Sequence, residues 1–373
     1  MPKLIFFVTE DWYFVSHRLA LAIEAIHQGY EVAVVTRVSD CRSVIEQAGI
    51  RVIPFEVNRR GLNPVDVLNE SISLAAVYRR ESPDIVHHVA LRPVVVGGLA
   101  ARLAGVTRVV SAITGMGFLF TDGGRRPLVS AIVRKVLPYL VSRGLVIVQN
   151  TEDARLLSLF GVPVDRQRLI PGVGVDAGEY RREYPGNEIP VVMLAARILW
   201  DKGVGEFVEA AQLLRDVGAR FVLVGKIDAS NPAAVAESQV DAWVSDGIVE
   251  WWGHQTDMSA TLSKADIFCL PSYREGLPKG LLEAMAAELP CVSTDVPGCR
   301  DVVRDGHTGF LVPAKNARAL AAAIYKLIQD PELRQTMGRA GRKVVVQEFS
   351  QTKMIAETIK VYREMERSAC KQV

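Results

Sequence analysis

Glu275 and Glu283 stand eight residues apart in the segment Pro271–Pro290, PSYREGLPKGLLEAMAAELP, and Arg197 and Lys202 flank the string ILWD some seventy residues earlier. Carboxylates accept hydrogen bonds from hydroxyls, whereas a guanidinium fork and an ammonium point charge suit a diphosphate. If the residues between the glutamates are all helical, eight steps span about 12 Å at about 1.5 Å per residue, comparable to a nucleotide-sugar. Spacing alone equally fits a helix start whose first glutamate complements the dipole while the second is solvated. Arg197 and Lys202, in turn, could form exposed ion pairs with Asp201 or Glu206.

The elements around these residues favour the ligand reading. The apolar run Ala265–Leu270 predicts a short buried strand, Gly276 and Pro278 interrupt it, and the alanine- and leucine-rich run to Ala287 predicts a helix. Glu275 and Gly276 then lie at the C-terminal end of a strand, where open α/β sheets bind ligands. The run Val191–Ala195 predicts another strand, which delivers Arg197 and Lys202 on its following loop before a helix near Val204. No D-x-D motif occurs in the chain, which argues against a metal bridging a diphosphate; the cations and the helix start after Glu275 take that role instead.

Apolar runs alternate with helical patterns along all 373 residues, restarting at Pro190. The expected fold is α/β, with two doubly wound parallel sheets of Rossmann-like type in two domains facing across a cleft, the GT-B architecture. The expected boundaries are 1–170 for an acceptor-binding domain, 171–188 for a polar linker and 189–350 for a nucleotide-sugar-binding domain. A final helix, 351–373, packs back on the first domain in such an arrangement. A hydrophobic share of 49% with 23% charged residues excludes a disordered chain. The longest stretch without Asp, Glu, Lys or Arg, Val109–Thr121, is shorter than the roughly 18 residues of a membrane span. The N-terminal strand lacks the features of a signal peptide, so a cytoplasmic location is expected. Five cysteines without a C-x-x-C pair predict neither a disulfide framework nor a zinc site. Residues 1–170 carry 20 Lys and Arg against 15 Asp and Glu, leaving 24 against 27 of the totals of 44 and 42 for the rest. The basic half suits an anionic partner.

Arg197, Lys202, Glu275 and Glu283 match the Arg, Lys and E-x7-E pattern of the retaining glycosyltransferases of family 4, and the chain resembles that family over nearly its whole length. The strings ILWDKG and LPSYREGLP are similar to those of bacterial transferases that extend a sugar on undecaprenyl diphosphate, including N-acetylgalactosaminyl transferases. The resemblance implies that Arg197 and Lys202 hold the donor diphosphate, that Glu275 contacts the donor sugar beside Gly276, and that Glu283 holds the ribose hydroxyls. It also implies front-face transfer with retention, the departing phosphate helping to deprotonate the acceptor. The implied partners are a UDP-sugar, a polyprenyl-diphosphate-linked sugar acceptor and the inner face of the cytoplasmic membrane as a peripheral surface; no nucleic acid, cofactor or metal is called for. A sugar-nucleotide 2-epimerase and a non-catalytic sugar-nucleotide-binding subunit are the competing readings.

In the first domain, Thr114 of Ser111–Gly117 stands where many family members carry a histidine, a change shared with the polyprenyl-linked branch; Gly115 and Gly117 permit close backbone approach. Ser16 is the expected N-cap of a helix over about 16–28. The same loop offers Asp11, His17 and Arg18 to the acceptor or donor, and Arg92 is a similar candidate after the fourth strand. The paired His87 and His88 lack metal-site spacing. Arg125, Arg126, Arg134 and Lys135, interleaved with apolar residues up to Arg143, predict an amphipathic basic helix suited to an anionic bilayer.

Overall fold

The computed structural model describes residues 1–57, 63–116, 127–181, 186–229 and 231–370. They divide into two compact units, Met1–Val173 with Met354–Val373, and Gly174–Lys353. The fold is α/β, as expected, with one parallel sheet in each unit among the described residues.

The first sheet comprises β1 (Lys3–Glu10), β2 (Glu31–Arg37), β3 (Arg51–Pro54), β4 (Ile85–Val89), β5 (Val109–Ile113), β6 (Gly144–Val148) and β7 (Gln167–Leu169), in the order β3-β2-β1-β4-β5-β6-β7. β1, β2, β5 and β6 read as nearly continuous apolar runs because helices cover both faces of a parallel sheet. Alternate side chains of β1 enter opposite layers: Leu4, Phe6 and Val8 pack with Tyr362 and Met365, and Ile5 and Phe7 with Leu74 and Tyr78. The strand order reverses between β1 and β4, and the chain leaving those strands carries Asp11, His17 and Arg18 on one side and Arg92 on the other.

In the second unit the strands are β8 (Val191–Ala195), β9 (Arg220–Val224), β10 (Glu250–Trp251), β11 (Ile267–Leu270), β12 (Cys291–Thr294) and β13 (Gly309–Val312), in the order β10-β9-β8-β11-β12-β13. Val191 and Met193 face Leu281 and Met285, while Val192 and Leu194 face Phe207 and Ile324. The reversal lies between β8 and β11, paired through Val192–Ile267 and Met193–Phe268. Such a switch point leaves a crevice at the strand ends. The loops bearing Arg197 with Lys202 and Glu275 with Gly276 both start there.

Two edge strands, β7 and β13, carry too short a pattern to stand out in the sequence. Ser16 does not begin a helix. Residues 11–27 form two helices, Asp11–His17 and Leu19–His27, with Glu10 and Arg18 at their N-terminal caps, and Ser16 bonds back to the Tyr13 carbonyl at 3.2 Å. Gly174–Lys353 form the second unit, so the segment expected as a linker enters it from Gly174, with Val175 and Tyr180 buried in its core. The last helix, Gln351–Cys370, sets Tyr362 in the core of the first unit, its hydroxyl 2.6 Å from His87 Nδ1.

Candidate donor site in the second unit

Close packing of backbone on backbone brings the two switch-point loops together. Gly203 sits at φ +74°, and a Cβ there would fall 2.1 Å from the Pro271 carbonyl oxygen; only glycine lets the loop after β8 lie against the loop after β11. On the other flank Gly298, at φ +81°, would place a Cβ 2.6 Å from the Gly276 oxygen and 2.7 Å from the Glu275 oxygen. Ile198 and Leu199 are buried, which leaves Arg197 and Trp200 on the outer side of the loop. Tyr273 N donates to the Asp201 oxygen at 3.0 Å, and the Tyr273 hydroxyl donates to Glu206 Oε1 at 2.7 Å. Asp201 and Glu206 thus brace the two loops against each other.

Lys202 Nζ instead lies 2.5 Å from Glu275 Oε1, and the same oxygen accepts the Ser272 hydroxyl at 2.7 Å. Arg197 makes a looser contact, 3.3 Å from Asp228 Oδ2, with nearly half of its side chain exposed. Such an exposed pair is worth little, so the guanidinium is easily recruited by an anion. Beside this cluster the Cys299 thiol is pushed up to about 12 by burial and then by the charge of Glu275, which makes it an inert packing group.

Glu283 is not reached from Glu275 by continuous helix. Residues 275–278 are loop, and the helix covers Lys279–Ala286 with Pro278 at its N-cap, so the all-helical span of the sequence estimate does not apply. Glu283 lies one turn into that helix, almost fully buried, and its Oε1 takes two donors: Lys279 Nζ at 2.9 Å and the Tyr180 hydroxyl at 3.0 Å. The two glutamates are therefore held alike, each through Oε1 by one lysine and one hydroxyl. A lysine at i−4 is visible in sequence as a helix pair. Nothing local marks Tyr180, which lies 103 residues away.

The candidates of the first unit are partly engaged within it. Asp11 is fully buried and accepts from Trp12 N at 2.7 Å, Ser39 N at 2.6 Å, Cys41 N at 3.1 Å and the Ser39 hydroxyl. Burial works to raise its pKa, but the Ser39, Cys41 and Trp12 bonds prevail and lower it. Arg92 donates through Nη2 to both carboxylate oxygens of Glu70, at 2.8 and 2.9 Å. His17 stacks on Tyr13 with ring centroids 4.2 Å apart, and Arg18 is buried at the junction of the first two helices. Ala90, ahead of Arg92, holds φ 78° and ψ 162°, a region nearly reserved for glycine. His87 and His88 are buried on opposite faces of β4, bonded to Tyr362 and Tyr78, and among the described residues there is no cluster fit to hold a metal. Thr114 and Gly115 follow β5, Gly115 at φ +141°. Arg134 and Lys135 are exposed on the helix Pro127–Val141, while Gly117, Arg125 and Arg126 lie outside the described residues.

Two Rossmann-like units, each built on a parallel sheet, are the two halves of a GT-B fold. The chain belongs to the group 1 glycosyltransferases: residues 189–330 match the model "Glycosyl transferases group 1" and residues 3–150 match "Glycosyl transferase 4-like". It is 30% identical over 325 residues, 83% of this chain and 85% of the relative, to the N,N'-diacetylbacillosaminyl-diphospho-undecaprenol α-1,3-N-acetylgalactosaminyltransferase of Campylobacter jejuni. Identity is 25%, over 82% of each chain, to the UDP-Gal:α-D-GlcNAc-diphosphoundecaprenol α-1,3-galactosyltransferase of Escherichia coli. The fold matches that of Anabaena HepE, solved in complex with UDP and glucose, with a TM-score of 0.80 at 18% identity, covering 97% of this chain and all of that one. Among the described residues no helix is long and apolar enough to cross a membrane.

Proposed function

We propose that this glycosyltransferase is retaining and metal-independent, and that it moves an N-acetylhexosamine, with N-acetylgalactosamine the first candidate, from UDP to a sugar on undecaprenyl diphosphate. The observation that carries the reading is the Lys202–Glu275–Ser272 cluster at the β8/β11 switch point. An ammonium beside a carboxylate at a strand end suits the junction between diphosphate and sugar, where negative charge grows on the leaving group as the glycosidic bond breaks. Arg197 and Lys202 take the diphosphate, and the helix start at Lys279 adds its dipole. Glu275 orients the donor sugar next to the Gly276 backbone, and Glu283 receives the ribose hydroxyls. The names of the Campylobacter and Escherichia relatives support an undecaprenyl-diphosphate acceptor, and the first supports the N-acetylgalactosamine donor. Work on such an acceptor requires the chain to meet the cytoplasmic membrane face as a peripheral protein.

The test is a panel of UDP-, GDP-, ADP- and dTDP-sugars offered with a short polyprenyl-diphosphate disaccharide or monosaccharide, with product anomers read by NMR. Transfer from a UDP-N-acetylhexosamine with the α configuration kept, undiminished by EDTA, is the expected result. Wild-type transfer by both Lys202→Ala and Glu275→Ala sinks the assignment, and C2 inversion of the donor without acceptor indicates an epimerase instead.

A further inference from the structure

We infer that Tyr180 is a positioning residue of the donor site, which fixes Glu283 through one carboxylate oxygen and leaves the other to a ligand hydroxyl. The inference deepens the donor-site reading above and rests on it. Tyr180 lies on the segment that opens the second unit, six residues after its first residue Gly174. Its hydroxyl donates to Glu283 Oε1 at 3.0 Å, the oxygen also held by Lys279 at 2.9 Å. Oε1 is thereby occupied by two donors, and Oε2 is the remaining acceptor on a carboxylate almost fully withdrawn from water. A carboxylate held through one oxygen cannot rotate between equivalent poses, so it meets an incoming hydroxyl without an added ordering cost.

The hydroxyl is aimed by a rigid support. Arg342, on the helix Pro331–Glu348, donates to the Tyr180 carbonyl at 2.6 Å and to the Ala177 carbonyl at 2.7 Å, and it also bonds the Ala286 carbonyl at the end of the Glu283 helix. One guanidinium thus ties the Tyr180 segment to the helix that Tyr180 serves. Ser259 donates to the Glu179 carbonyl at 2.6 Å, Asp176 closes a turn onto Gly178 N at 2.8 Å, and Val175 pairs with the backbone around Phe349 and Gln351. A merely packed tyrosine needs no such alignment of its hydroxyl. Burial and the negative Glu283 push the Tyr180 pKa up, so the hydroxyl stays protonated and remains a donor at every working pH.

The experiment uses the full chain and the nucleoside diphosphate that wild type binds most tightly among UDP, GDP, ADP and dTDP. Calorimetric Kd, donor KM, kcat and Tm are measured for Tyr180→Phe, Glu283→Gln and the double variant. Tyr180→Phe is expected to raise Kd and donor KM together by about ten-fold, the scale of a hydrogen bond to a charged group, with kcat nearly unchanged. In the Glu283→Gln background the same change is expected to have little further effect, because Tyr180 acts through Glu283. Unchanged Kd and KM in Tyr180→Phe, a fall in Tm alone, or full additivity in the double variant overturns the inference while leaving the donor site standing. Wild-type affinity in Glu283→Gln overturns the donor-site reading itself. Lys279→Gln, which removes the other donor to the same oxygen, is the second arm should Tyr180→Phe not fold; wild-type affinity there overturns the one-oxygen anchoring.

Discussion

Lys202 and Glu275 are 73 residues apart in the chain and 2.5 Å apart in space, joined because β8 and β11 are neighbours at the reversal of strand order. The ammonium is spoken for before any diphosphate arrives. On the proposed donor-site reading a phosphate shares Lys202 with Glu275, and Arg197, loosely held by Asp228, is the cation more easily recruited.

Removing the competing carboxylate should therefore separate binding from transfer. Glu275→Gln is expected to bind UDP at least as tightly as wild type by calorimetry, with Lys202 released, while kcat falls by about 10² or more for loss of an oriented charge at the reacting centre. Lys202→Ala should lose both affinity and rate. Weaker UDP binding in Glu275→Gln than in wild type contradicts this arrangement.

Gly203 tests the backbone contact that builds the site. Gly203→Ala puts a methyl 2.1 Å from the Pro271 oxygen at a left-handed φ, so the loops must separate. The expected cost is about 1–3 kcal/mol of stability, as for other residues forced into sparsely populated backbone conformations, seen as a lower Tm together with reduced transfer. Gly218→Ala, also at positive φ but with open space around it, should lose stability without a comparable loss of activity.

Acid stability should report the buried histidines. Burial lowers the His88 pKa to about 3, and His87 is lowered in the same direction. In the unfolded chain each histidine takes up a proton near its ordinary value of 6.5, whereas folded His88 resists until about 3. The unfolded state therefore binds more protons between those values, and stability falls as pH drops through that window, by about 1.4 kcal/mol per pH unit per histidine. His88→Asn should be less stable at neutral pH and show a shallower acid limb in denaturant titrations; an unchanged slope contradicts the assignment.

The proposal of membrane attachment, if made through the basic helix, is checked by charge reversal at its exposed positions Arg134 and Lys135. Arg134→Glu with Lys135→Glu is expected to reduce flotation with anionic liposomes but not with neutral ones, each surface cation contributing about 1 kcal/mol. Flotation equal to wild type removes the helix Pro127–Val141 from the attachment.

The elements around the candidate donor site were legible because their signals are local. Strand–loop–helix punctuation placed Arg197, Lys202 and Glu275 at strand ends. The edge strands β7 and β13 escaped notice because a run of three or four residues carries too little periodicity. Ser16 misled for a related reason: a serine before an apolar run is a cap signal, yet the sheet extends β1 to Glu10 and the helix starts at once with Asp11. Asp11 and Arg92 looked available because Ser39, Cys41 and Glu70, which engage them, are between 22 and 30 residues distant.

By itself the sequence determined the class of fold and the repetition of that fold in two units, since periodicity is written residue by residue; it also nominated four side chains whose chemistry suits the proposed sugar nucleotide. The tertiary structure alone decided which oxygen of each glutamate is already held, that Tyr180 reaches Glu283 across 103 residues, and that Lys202 chooses Glu275 over its nearer acidic neighbours. Those choices follow from strand order and close packing, which set distances between segments that no local pattern encodes.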